Sequence, residues 1–275
     1  MSDPSPSRQI VVHLDDVGNS HGANVAFVEL FERRAISSSS VMVPCPWFPE
    51  AAAMARAHPG CDMGVHLTLT AEFDNMRWRP LTGVSGNGLT DAEGYFPRTA
   101  KEVAAADPAA VDAELRAQID AALGAGIDVT HLDAHMGAPW AFLDIYVRLG
   151  TDYRLPVFLP RQPTWGMVAS PRYTAAHETL DRNGNPRFSG VLATPFRDFS
   201  ATADTYRTLL EASVPGLNWA AFHMTAPGDF AANSVDAPLR FAEYELFRSG
   251  RAAELIAELG LEPVGMRGFR DAMRT

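Results

Sequence analysis

Short apolar runs alternate with helical stretches along almost the whole chain, and this alternation is what most restricts the fold. Ile10 to Leu14, Ser38 to Val43, Asp62 to Leu69, Val129 to Leu132, Leu155 to Leu159, Leu217 to Phe222 and Glu262 to Val264 read as strands. Val25, Val28 and Phe31 repeat near period 3.6, as do Leu115, Ile119 and Leu123 after the Asp107-Pro108 helix entrance. Strands separated by helices imply a parallel sheet wrapped by helices. Seven such units predict an α/β fold, an irregular (β/α) TIM-like barrel, ahead of an open doubly wound sheet. The 275 residues fit one unit, a domain over 9–275 behind a disordered tail at 1–8. Thr70 to Thr99 and Arg161 to Thr202 are too long for plain connections and are expected to be functional loops.

Composition excludes several functions. With 47% hydrophobic and 20% charged residues the chain can build a large core. A net charge of -10 argues against nucleic acid or an anionic membrane as partner and favours a small, weakly charged one. Cys45 and Cys61 are too few for a disulfide framework. The polar start lacks the apolar core of a signal peptide, and no segment has the run of apolar residues a membrane span needs, so the expected location is cytoplasmic. No glycine-rich phosphate loop follows any strand. Dehydrogenase and kinase chemistry therefore has no support.

Parallel α/β folds collect chemistry at the carboxyl ends of their strands. Five of the eight histidines fall in or at the ends of expected strands: His13, His66, His131, His135 and His223. Asp15-Asp16 ends the first strand, where two adjacent carboxylates repel unless a cation or proton relieves them. In His131-Leu132-Asp133-Ala134-His135, period-two geometry puts His131, Asp133 and His135 on one face. One carboxylate and two imidazoles from these segments can hold a cation with positions open for water and substrate, leaving a second carboxylate as base. His223, after the sixth strand, is a candidate proton donor, and Arg161, after the fifth, could orient a carboxylate. Trp47, Trp78, Trp140 and Trp165 fall after strands, where flat rings could stack on a sugar.

The motifs Asp15-Asp16-Val17-Gly18, Asn24, Gly64-Val65-His66, His131-Leu132-Asp133-Ala134-His135, and His223 with Pro227-Gly228, Arg240 and Glu243 occur in an order that resembles the YdjC/ChbG-like carbohydrate (polysaccharide) deacetylase family. The resemblance runs from about residue 9 to 265. It implies an irregular barrel that hydrolyses an N-acetyl group from an amino sugar or short oligosaccharide with one divalent metal. It further implies that Asp16, His66 and His135 bind that metal and that Asp15 is the base; His131 and Asp133, on the face of His135, are expected to stand behind the ligands. Zn or Mg is the first expectation for the ion, with Mn, Co or Ni also compatible with two histidines and one carboxylate. Trp78, Arg79 and Trp165 are expected to meet the carbohydrate, and a monomer or homodimer stays open. Family members acting on chitin-derived disaccharides continue the histidine motif with further histidines, whereas this chain continues Met136-Gly137-Ala138-Pro139-Trp140. Two rival readings are a metal-dependent phosphoesterase or amidohydrolase on a non-sugar substrate, and a barrel that binds sugar without turnover. Against the first stands the lack of a second full ligand set and of an early His-x-His pair, and against the second the presence of Asp15.

Overall fold

The computed structural model describes residues 7–83, 86–164, 167–196 and 201–275. Its strands are β1 (Arg8–Val17), β2 (Ser38–Val41), β3 (Met63–Leu67), β4 (Val129–Ala134), β5 (Phe188–Ala193), β6 (Gly216–Phe222) and β7 (Glu262–Pro263). All pairings are parallel, in the order β4-β3-β2-β1-β6-β5, with β7 beside the start of β1. The helices are α1 (His21–Glu32), α2 (Phe48–Ala57), α3 (Ala100–Val103), α4 (Pro108–Gly124), α5 (Leu143–Tyr153), α6 (Pro171–Arg182), α7 (Ala203–Glu211), α8 (Ala237–Arg248), α9 (Arg251–Glu258) and α10 (Arg267–Arg274). The expected single α/β fold of parallel strands is present, its sheet curled into a half-barrel. Its core runs through both faces of β1, where Ile10, Val11, Val12 and Leu14 are all buried. None of the described helices is long and apolar enough to cross a membrane. Cys45 and Cys61 are buried free thiols.

Two expectations change. Leu155 to Leu159 forms no regular strand: Val157 bridges Leu132 of β4, and Pro160 bridges Phe188 of β5. Pro156 and Pro160 lack the N–H a ladder requires, so the segment pairs with β4 and β5 through isolated bridges, backed by the Phe158 ring against Phe188 at 5.1 Å. The fifth full strand is β5, which lies inside the stretch 161–202 that reads as loop. Its Ser189-Gly190 start hides the strand signal. Glycine is needed there, because a Cβ at residue 190 would stand 2.1 Å from Asn218 Oδ1. The same stretch holds α6, whose buried face is only Tyr173, Ala176, His177 and Leu180, and whose cap is Ser170 Oγ accepting from Tyr173 N–H at 3.2 Å.

The stretch 70–99 is irregular, as expected, yet firmly held. The buried Glu114 carboxylate accepts the N–H groups of Leu81 and Thr82 at 3.1 and 3.0 Å, and Trp78 Nε1–H donates to Thr70 O at 2.8 Å. Its own Leu89 and Phe96 are fully buried.

Candidate active site

The carboxyl ends of β1, β3, β4, β5 and β6 open into a cleft of about 950 Å³ whose walls include Asp15, Asp16, His66, His135, Thr194, His223 and Arg240. Adjacent residues of a strand face opposite ways, and β1 breaks that rule where the chemistry needs it. Asp16 sits at φ 65, and the pairing with β2 shifts register between Leu14 and Val17. Asp is among the few residues that tolerate this backbone. Both neighbouring carboxylates thereby reach one cleft. The turn behind them is held by Gly18 N–H donating to Asn24 Oδ1 at 2.8 Å, and α1 is capped by Ser20.

Three donor atoms converge. Asp16 Oδ1 is 3.4 Å from His66 Nε2 and 3.3 Å from His135 Nδ1, and those two nitrogens are 3.3 Å apart. Donors about 2.1 Å from a shared tetrahedral centre lie about 3.4 Å from one another, so the spacing fits a single divalent ion. Asp16 Oδ1 is buried and makes no well-formed hydrogen bond, which is the state of a carboxylate oxygen reserved for a cation. The other nitrogen of each imidazole is committed: His66 Nδ1–H to Asp133 Oδ2 at 2.8 Å, and His135 Nε2–H to Glu72 Oε2 at 3.0 Å. Such carboxylate partners fix the tautomer and aim the free lone pair. Two left-handed residues, Met136 at φ 51 and Gly137 at φ 65, turn the chain directly after His135.

The surrounding carboxylates also draw protons onto both imidazoles, which a bound metal ion would displace. Burial alone would raise the Asp16 carboxyl, but Arg240, with Nη1 2.6 Å from Asp16 Oδ2, and the two imidazoles hold it well below the usual carboxylate range. Burial would likewise lower both imidazoles, yet Asp133 raises His66 well above its ordinary value, and Glu72 and Asp16 raise His135 to about 9. Arg240 is held in turn by Asp236 at 3.0 Å.

Asp15 is held apart from the triangle. His13 Nδ1–H donates to its Oδ1 at 2.5 Å, while Oδ2 faces His223 Nε2 at 3.7 Å. His13 is backed by His131, Nε2 to Nε2 at 3.0 Å, and burial lowers His131 to about 4. Gly64 makes room for that ring, since a Cβ there would lie 2.5 Å from His131 Nε2. His223 Nδ1 meets Thr194 Oγ1 at 2.9 Å, its main-chain N–H donates to Glu243 Oε2 at 2.7 Å, and burial lowers the ring below its ordinary value.

The structure thus brings Asp15, Asp16, His66, His135 and His223 together, with Asp133 on His66. His131 stands one residue further back, against His13. Arg161 is not brought in: its guanidinium is paired with Asp181 away from the cleft, because α6 carries that aspartate alongside. Trp78 does not rim the cleft either, being buried behind His135 with its N–H already used. Arg79 lies exposed over the Tyr95 ring at 4.2 Å and outside the cleft walls. Trp165 lies outside the described residues. Sequence reading passed over Glu72 and Thr194. Glu72 had a signal, its place five residues after β3 in a long loop; Thr194 had none once β5 was taken for loop.

The family model described as YdjC-like protein matches residues 9–258. The chain belongs to the YdjC-like family. A carbohydrate deacetylase of Thermus thermophilus is 31% identical over 97% of this chain and 95% of its own length. One of Listeria monocytogenes is 28% identical over 96% and 99%. Among solved structures, a candidate cellobiose-phosphate cleavage protein from Enterococcus faecalis superposes with a TM-score of 0.77 at 23% identity, covering 95% of this chain and 98% of that one. That likeness shows the fold alone.

Proposed function

We propose that this protein is a divalent-metal-dependent hydrolase that removes the N-acetyl group from an amino sugar or a short oligosaccharide. The observation that carries the reading is the donor triangle of Asp16, His66 and His135 with Asp15 and His223 on its flank. Family membership and the names of the full-length relatives supply the reaction class.

Asp16, His66 and His135 would hold a divalent cation, which would supply Lewis acidity to the amide carbonyl and to a water. Arg240 keeps Asp16 ionised and oriented for that task. Asp15 is the general base: His13 occupies its Oδ1, so Oδ2 is the atom that takes the water's proton. His223 Nε2 gives a proton to the departing nitrogen as the C–N bond breaks. Acetate and a free amino sugar leave. Phe73 and Phe196 in the cleft walls offer apolar faces for the sugar ring.

The test is acetate release from a panel of N-acetylated mono- and oligosaccharides, with the chelated protein reconstituted by Zn, Mg, Mn, Co or Ni. Turnover restored by one or more of these ions supports the reading. Absence of acetate release from every sugar with every ion would overturn it.

A further inference from the structure

An imidazole delivers a proton from a stated atom only when its other nitrogen is committed elsewhere. His223 Nδ1 lies 2.9 Å from Thr194 Oγ1, and the same hydroxyl lies 2.9 and 3.2 Å from Glu243 Oε1 and Oε2. A hydroxyl has one proton to give. Glu243 also accepts the main-chain N–H of His223 and the hydroxyl of Tyr206, so three donors converge on it and the Thr194 proton belongs there. Thr194 Oγ1 is left as an acceptor, and its contact with His223 is completed only by an Nδ1–H.

The parts are fixed independently of the ring. Thr194 N–H donates to Ala221 O at 3.0 Å, continuing the pairing of β5 with β6, and Pro195 restricts the threonine to extended backbone. Glu243 is fully buried on α8 and Thr194 is 5% exposed, so bulk water does not compete for these bonds. Phe196 packs edge-on against the His223 ring with centroids 4.8 Å apart.

We propose that Glu243 and Thr194 are positioning residues that lock His223 in the Nδ1–H tautomer, making Nε2, 3.7 Å from Asp15 Oδ2, the nitrogen that gains and releases the reaction's proton. The proposal rests on the acid role given to His223 above. The protons balance: Asp15 Oδ2 takes a proton from water and passes it to the bare Nε2, Nε2 gives it to the amine nitrogen, and the cycle ends with a neutral Nδ1–H ring and an ionised Asp15.

The tautomer is read directly by nitrogen NMR of the whole protein labelled with 15N-histidine, without substrate, at pH 8, with the His223 signal assigned by its loss in His223→Gln. The expected wild-type spectrum has Nδ1 protonated and Nε2 bare. Thr194→Val should shift the ring toward Nε2–H and lower kcat about 10- to 100-fold, part of the 10² to 10⁴ that a general acid supplies, with KM changed less than about twofold. Thr194→Ser, which keeps the hydroxyl, should restore both readouts. A wild-type ring protonated at Nε2, or a valine variant with the wild-type tautomer, overturns the proposal. Because the spectrum needs no turnover, an Nδ1–H ring that valine disrupts supports the relay even if no acetylated sugar is cleaved, and the two failures stay distinguishable.

Discussion

Trp78 packs edge-on against His135, ring centroids 6.3 Å apart, while its indole N–H is spent on the Thr70 carbonyl. The loop 70–99 therefore buttresses a candidate ligand from behind. Trp78→Ala should cost about 3–5 kcal/mol by opening a cavity, seen as a lowered midpoint in denaturant titration. It should also lower kcat/KM by similar factors for a monosaccharide and for a longer acetylated substrate. A loss confined to the longer one would return the tryptophan to substrate contact.

Bound metal should follow the donor triangle. His66→Ala removes one ligand, and elemental analysis after dialysis should find less than about a tenth of an equivalent. Asp133→Asn leaves the ligands in place but weakens the aim of His66, so metal affinity should fall about 10- to 100-fold. A His66→Ala protein that retains a full equivalent would mean that the ion sits elsewhere.

Asp15→Asn separates catalysis from metal binding, because Asp15 Oδ1 serves His13 and Asp15 is no corner of the triangle. Metal content should stay near wild type while kcat falls by roughly 10² to 10⁴. Near-normal turnover in this variant would reassign the base.

His131 gives the fold an acid sensitivity of definite sign. Burial lowers its folded value to about 4 against 6.5 for the ordinary side chain, so the unfolded chain takes up the proton first. The neutral ring's contribution is complete above about pH 6.5 and drains away as pH falls toward 4. It amounts to at most about 3 kcal/mol, because each tenfold difference in proton affinity between the folded and unfolded chain is worth about 1.4 kcal/mol. His131→Gln should lack this component. The stability difference between wild type and variant, from urea unfolding at pH 7 and 4.5, should shrink in the acid; a constant difference would mean that the ring does not titrate in that window.

Much of this was legible in the residues. Acidic and imidazole groups stood at the ends of apolar runs, and a barrel gathers those ends, so Asp15, Asp16, His66, His135 and His223 met as their positions implied. What failed to show was whatever depended on a partner far along the chain. Arg161 looked free until α6 supplied Asp181. Trp78 looked like a sugar platform because nothing local reveals that Thr70 O awaits its N–H. β5 was hidden by a glycine that Asn218 demands, and Thr194 was hidden with it. Even Gly64, plain in its motif, had no visible reason until the His131 ring was found against it.

Pro156 and Pro160 give the barrel a seam. Elsewhere neighbouring strands are stitched by ladders, as where Val11 and Trp219 pair at the centre of β1 and β6, but along 155–160 the wall is basted by single bridges. A basted edge parts without unravelling the cloth on either side. Heating should therefore open the molecule along this line first, with amide exchange at Phe158 and Arg161 running ahead of that at Val11 and Trp219. The β4 wall that carries Asp133 and leads into His135 would swing away from the β5 and β6 wall that holds Thr194 and His223. The catalytic pairing across the cleft would then be lost while most secondary structure is still intact, so that activity fails at a lower temperature than circular dichroism records.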